Sequence, residues 1–310
     1  MTIRTIVESD LDTIHTLIAD QSINTVTRER YDEYVGVGYY RDAWTWVVEQ
    51  DGRIIALAVW WGMPQFEHPF SIDGLYYAGD GDPVAVWAEL IRAGLDSIPA
   101  GAEEPEYHLF VPNGWCEQPE VVAALEPRLA AAALAGLSAV TERLRYEWLS
   151  SYGLPSRSTR LRFEPADDDA FLDAFVRVIE GSLDASTARA VARGGAEASA
   201  KEDLEIYQEM PGERDWWRLA YDEAGALVGF ILPSANNGGP VIGYVGVVPE
   251  QRGHGYSDDL LAEGTHILAE TGAERIRADT DLTNRPMAAS FERQGYRNHA
   301  VRMVASHPIA

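Results

Sequence analysis

The 310-residue chain has one cysteine, Cys116. A single thiol excludes any intrachain disulfide, so the fold must stand without covalent staples. That economy suits a reducing compartment, and a cytoplasmic location is expected. Long apolar runs are also missing. The longest, "LAAAALAGLSAV" from Leu129, is Ala-rich and broken by Gly136. It falls well short of the roughly 18 residues that a bilayer-spanning helix needs. The opening "MTIRTIVESDLDTIHTLIADQ" carries acids early and lacks the basic-then-apolar pattern of a leader. No membrane partner is expected. Basic residues are the third shortage, with 25 Lys and Arg against 49 Asp and Glu. A chain this negative repels phosphate backbones, which argues against nucleic acid as a partner. The charge suits either a field that attracts cationic substrates or plain solubility.

What is present is a repeat. "IRTIVESDLDTIHTLI" from Ile3 and "LRFEPADDDAFLDAFV" from Leu161 each read as a strand followed by an acidic helix start, where carboxylates favour the positive helix end. Hairpins follow, one turning at Asp51-Gly52 and one at Ala224-Gly225, with alternating β-branched and aromatic strands. Each half closes on a helix, a glycine (Gly136 or Gly295) and a last strand, the glycine suiting a left-handed helix end. The matched landmarks lie roughly 160 residues apart, which points to a duplicated domain. The Ser/Gly/Pro-rich "LSSYGLPSRSTR" from Leu149 reads as the join. Two domains are expected, 1–150 and 151–310, in an α/β class with mixed sheets and flanking helices.

The most informative stretch is "VVPEQRGHGYSDDLL", Val247 to Leu261. A buried strand from Val241 ends at Pro249, which cannot donate to a sheet ladder. Arg252-Gly253-His254-Gly255-Tyr256-Ser257 then leads into a helix. Glycine-rich loops at a helix start present unpaired N–H groups and the positive helix end, a cradle for an anion. Arg252 adds a charged fork. A Walker A loop would need a Lys here, and a dinucleotide fingerprint would need Gly or Ala where Asp258 stands. About 30 residues on, "RIRADTDLTNRPMAASFERQGY" reads as strand, turn at Asn284, helix and Gly295-Tyr296.

Together these two motifs resemble the GCN5-related N-acetyltransferase (GNAT) superfamily. The match is good over the last 150 or so residues and holds only in element order before them. Ser257 replaces the usual Gly or Ala. The resemblance implies a tandem GNAT-like layout, with acetyl-CoA as cosubstrate held by the carboxy-terminal domain. It implies that the amides of Arg252, Gly253, His254, Gly255, Tyr256 and Ser257 take the pyrophosphate. It also implies that Asn284 meets the pantetheine arm and that the backbone N–H of Val247 or Val248 polarises the thioester carbonyl. The activity implied is N-acetylation of a small amine, cationic if the charge is a guide, by a monomer or homodimer with no metal. The alternative is a protein that binds acyl-CoA without turning it over.

Two further absences bear on that choice. The family's general acid, a Tyr seven residues after the Asn, is Phe291 here. The strand from Val241 carries no Glu or His, and its one titratable side chain is Tyr244. Tyr244 and Asp279 are the candidate catalytic residues, with Asp281 as a neighbour. In the first half the matching loop reads "AGDGDP". It has no Arg, and Asp80 and Asp82 would repel a pyrophosphate. That half is expected not to bind CoA through its loop. The tryptophans Trp44, Trp46, Trp60, Trp61, Trp216 and Trp217 suit either a cation pocket or core packing.

Overall fold

The computed structural model describes residues 1–18, 23, 26–102 and 104–308. The two halves have the same element order. The first comprises β1 (Thr2–Thr5), α1 (Leu11–Leu17), α2 (Arg28–Val37), β2 (Thr45–Gln50), β3 (Arg53–Trp61), β4 (Ser71–Tyr77), α3 (Val84–Asp96), β5 (Glu106–Pro112), α4 (Pro119–Leu134) and β6 (Ala139–Leu149). The second comprises β7 (Arg162–Glu164), α5 (Asp168–Ile179), α6 (Ala185–Glu209), β8 (Arg218–Tyr221), β9 (Leu227–Asn236), β10 (Gly239–Val247), α7 (Tyr256–Glu270), β11 (Arg275–Asp281), α8 (Arg285–Arg293) and β12 (Arg297–Ser306).

Local chemistry explains the punctuation. Asp51 and Gly52 have φ of 52° and 74°, the pair of positive values that a two-residue hairpin turn requires. Asp167 caps α5 by accepting from the Ala170 N–H at 2.9 Å, and Asp184 caps α6 by accepting from Thr187 N–H at 3.0 Å. Gly295, at φ 82°, ends α8 as expected.

Contacts divide the chain into two compact units, Met1–Glu142 with Ala300–Ala310, and Arg143–His299. This differs from the halves expected from sequence, because each closing strand pairs within the other unit. Arg143–Leu149 of β6 pair antiparallel with β11. Ala300–Ala305 of β12 pair antiparallel with β5. A strand pattern shows which residues are extended, not which edge receives them.

In the second unit the strand order is β7-β8-β9-β10-β11-β6, parallel only where β10 meets β11. Alternation along β9 feeds two cores. Ile231 packs with Leu260, Leu261, Phe291 and Tyr296 under α7 and α8. Phe230 and Leu232 pack with Phe171, Phe175 and Leu204 under α5 and α6. Trp217 in this unit and Trp60 in the first are buried, so packing rather than a cation pocket accounts for them. Among the described residues no helix is long and apolar enough to cross a membrane.

Candidate active site

The parallel ladder between β10 and β11 consists of one register pair, Val241↔Arg277. Beyond it the strands part and leave a gap. Val248 N–H donates to Val228 O at 3.0 Å. Hydrogen-bonded pairs alternate along an antiparallel ladder, so the amides of Val245 and Val247 point away from β9 and into the gap. Of the two valines expected to present an amide, Val247 therefore faces the gap and Val248 does not. Val245 was missed, because the phase of the ladder depends on the irregularity between Ile242 and Tyr244, which no sequence pattern reports.

At the end of β10 the chain makes a 3-10 turn over Pro249–Gln251 and enters the glycine loop. Gly253 and Gly255 have φ of 82° and 71°, left-handed values that favour glycine. Gly255 is the residue before α7 and caps it without a side chain. The amides of Gly253, His254, Gly255, Tyr256 and Ser257 have no acceptor among the described residues. Five open donors at a helix start have the geometry to hold an anion.

Arg252 has another role than the expected fork. Its Nε donates to Val247 O at 3.1 Å, Nη1 to Glu180 O at 2.6 Å and Nη2 to Val178 O at 2.8 Å. It thus ties the loop to the end of α5. The cation beside the cradle is Arg160, from the segment read as a join. Arg160 donates to His254 O at 3.0 Å, pairs with Asp259 at 2.5 Å and lies 4.4 Å from the Tyr256 ring centroid. A cleft of about 230 Å³ opens there, lined by Ser158, Arg160, Asp258, Asp259 and Gln294 among others. His254 is exposed and its Nδ1 lies 3.2 Å from Gln251 O.

Asp258 is turned from the cradle to α8. It accepts from Ser290 Oγ at 2.6 Å and Arg293 Nε at 2.7 Å. Burial works against it, yet Arg293 and Ser290 hold its carboxyl below the usual carboxylate range. Asn284 Oδ1 accepts from Met287 N–H at 3.3 Å and so caps α8. Phe291, without a hydroxyl, stacks on Tyr146 of β6 at 5.0 Å between centroids.

The α6 face of the gap carries the titratable groups. Along β11, Ile276 and Ala278 enter the α7/α8 core, so Arg277, Asp279 and Asp281 face the other way. Asp279 stands opposite Arg145 in the ladder and pairs with it at 3.4 Å. Asp281 is 1 % exposed. Arg143 Nη1 lies 3.0 Å from both Asp281 and Asp184. Tyr244 joins this face, with its ring 5.3 Å from that of Phe175 and 5.9 Å from that of Tyr207. Its hydroxyl is buried without a well-formed hydrogen bond. Burial first, then Asp203 on α6, raises the Tyr244 pKa far above the ordinary phenol range. Asp203 was not singled out from sequence, since its charged, weakly periodic segment gives no sign of which acid turns inward.

In the first unit the equivalent loop carries its own anion. Asp82 Oδ1 accepts from Val84 N–H, at the start of α3, at 3.0 Å. Arg128 of α4, 5 % exposed, donates to Leu75 O on β4 at 3.0 Å. Both features bear on the expectation that this loop takes no CoA: a carboxylate already accepts from the first amide of the helix, and a guanidinium holds the strand carbonyl.

The Acetyltransferase (GNAT) family matches residues 186–296, the stretch from α6 to the end of α8. The mycothiol acetyltransferase of Clavibacter sepedonicus is 32 % identical over 83 residues, 27 % of each chain. That of Clavibacter michiganensis subsp. michiganensis is 31 % identical over the same length. These alignments span about a quarter of the curated relatives. At the level of fold, a GCN5-related N-acetyltransferase from Sphaerobacter thermophilus superposes with a TM-score of 0.60 at 18 % identity, over 100 % of this chain and 96 % of that one. A tandem GNAT protein from the clavulanic acid biosynthesis pathway superposes at 0.52 and 16 % identity, over 100 % and 99 %. Residues 186–296, which hold the splayed β10 and β11 and the open amides at the start of α7, match the GNAT acetyltransferase family.

Proposed function

We propose that this protein is an N-acetyltransferase that moves an acetyl group from acetyl-CoA to the amine of a small cationic metabolite or antibiotic. The observation that carries the reading is the set of open amides from Gly253 to Ser257, set beside a gap into which the Val245 and Val247 amides point. The loop amides would hold the pyrophosphate. The strand amides would meet the pantetheine arm and the carbonyl oxygen, where a donor stabilises developing negative charge. Acetyl-CoA, when bound, supplies the activated acyl group. Asn284 spends its Oδ1 on the cap of α8, which leaves its amide NH₂ as the group to offer. Arg252 serves by shaping the loop.

Calorimetric titration with acetyl-CoA, followed by an amine-dependent assay of free thiol, tests the proposal. One acetyl-CoA per chain and thiol release that needs an amine are expected. An Arg252→Lys variant keeps the charge but loses the three-way fork. Its Kd for acetyl-CoA is expected to rise about tenfold, or ~1.4 kcal/mol. Unchanged affinity would count against the loop-shaping role.

A second reading follows from Phe291, whose ring lies in the core with no proton to give. On that reading the chain binds acyl-CoA and does not turn it over. Saturable binding without thiol release across a wide range of amines would favour it.

A further inference from the structure

The α6 face of the gap holds a cluster of buried and half-buried polar side chains that the acetyl donor does not explain. Ser199, Asp203 and Tyr207 are spaced four residues apart, so they share one face of α6. Ala200 and Leu204 turn that face inward onto the α5/α6 core. Ser199 is 2 % exposed and its Oγ has no hydrogen-bond partner. Tyr207 Oη donates to Gly243 O at 2.8 Å. Only a glycine allows that approach, since a Cβ on Gly243 would lie 2.9 Å from Tyr207 Cε1. Tyr244, next along β10, leaves its hydroxyl buried and unsatisfied, with a weak approach from Thr187. Two buried hydroxyls without partners are costly, and they flank a half-buried carboxyl. A hydrogen-bonding guest would satisfy all three.

We infer that Asp203 is the general base of the transfer reaction, taking a proton from the acceptor's ammonium group at a site completed by Ser199, Tyr207 and Tyr244. This rests on the acetyltransferase reading above. An alkyl ammonium, with a pKa of about 10, has no lone pair to attack with. Asp203 accepts one proton, and the neutral amine then attacks the thioester carbon. The C–N bond forms, the C–S bond breaks, and the second proton on nitrogen goes to the departing thiolate. The products are an amide, free CoA thiol and one proton on Asp203, which solvent removes.

The surroundings favour this role over the other acids of the face. Asp184 and Asp281 are committed to Arg143, and Asp279 pairs with Arg145. Asp203 has no basic partner within ion-pair distance among the described contacts. The groups acting on it are carboxylates, Asp184 and its own neighbour Glu202, while Tyr207 and Tyr244 feel its charge in turn. Arg143, whose charge acts on Tyr207, is spent on its two acids. Burial, then Asp184 and Glu202, pushes the Asp203 carboxyl up to about 7. A base is most effective with its pKa near the working pH. The same shift works against the fold. A raised pKa contributes stability that is full below about pH 4, the unfolded value, and is lost as pH rises through about 7. A residue held at such a disadvantage is typical of functional sites.

The test uses the full chain with Asp203→Asn and Asp203→Glu. Acetyl-CoA affinity is measured first. Thiol release is then followed from pH 5 to 9 with spermidine, tobramycin, glucosamine and tyramine as acceptors. With the best of these, kcat/KM of the wild type should rise with pH through about 7. Asp203→Asn should lower kcat by about 10²–10⁴, flatten that limb, leave acetyl-CoA binding unchanged and raise Tm at pH 8. Asp203→Glu should restore part of the rate and the limb. An Asn variant with normal kcat and an unaltered limb would overturn the assignment to Asp203 while leaving the transferase intact. Normal acetyl-CoA binding with no thiol release from any amine would overturn both, in favour of the binding protein. No acetyl-CoA binding by the wild type would remove the reading on which both stand.

Discussion

Arg143→Met should unfold about 3 kcal/mol more readily than the wild type. Arg143 is the common partner of Asp184, the cap of α6, and Asp281, at the end of β11. Its loss leaves two carboxylates facing each other in a site where Asp281 is 1 % exposed. Breaking a buried ion pair by removing one partner costs about 3–5 kcal/mol. The lower end applies because the Asp184 side chain keeps 30 % exposure and water screens it. The two acids respond differently to their shared cation. Burial opposes ionisation of both, but Arg143 and the Thr187 amide win at Asp184 and hold its carboxyl below the usual range. At Asp281 burial wins and the carboxyl is raised. Asp184 therefore stabilises the fold above its unfolded pKa of about 3.9, and that contribution fades as pH falls through its lowered folded value. Urea denaturation at pH 7 and at pH 3.5 checks both points. The gap between variant and wild type should be widest at pH 7 and narrow at pH 3.5. Equal stability at pH 7 would show that the three groups do not act as a unit.

Gly255→Asp should abolish measurable acetyl-CoA binding, with at least a 100-fold rise in Kd, or ~2.8 kcal/mol. Space is not the reason, since a Cβ at Gly255 would have Arg160 Nη2 at 3.8 Å as its contact. The new carboxylate would accept from the open amides of the first turn and occupy the place of the pyrophosphate. The first unit shows a related contact, with Asp82 Oδ1 accepting from the Val84 N–H that opens α3. Two local effects on stability oppose each other. An Asp at φ 71° costs about 1–2 kcal/mol, while an acidic cap in place of glycine returns only a few tenths of a kcal/mol. The variant should thus lose about 1 kcal/mol and stay folded, and calorimetry on it becomes decisive. Retained affinity would mean that the phosphates are held elsewhere, for example in the cleft beside Arg160. Residual binding at a second site would point to the first unit.

Much of this site could be read in one dimension because its parts are local. The glycines at 253 and 255, the stop at Pro249 and the caps at Asp167 and Asn284 are set by the residues within a turn of them. Phe291 could be counted from Asn284 for the same reason. The residues that escaped were placed by long-range packing. Arg160 reaches the loop from nearly a hundred positions away, and Arg143 arrives on a strand from the other half of the chain. Val245 depends on the phase of a ladder, and Asp203 on which face of α6 meets β10.

From the sequence alone follow the duplication, the anion cradle with its helix, and the lack of both a helix acid and a strand base. These need only backbone freedom, hydrophobic period and residue identity. Tertiary structure decided that the closing strands pair across the halves, that Arg252 spends its fork on Val178, Glu180 and Val247, and that three of the inward acids are neutralised while Asp203 is not. Such outcomes turn on which distant groups share a low-dielectric space. A carboxylate's partner, and therefore its protonation, is a property of that neighbourhood rather than of its place in the chain.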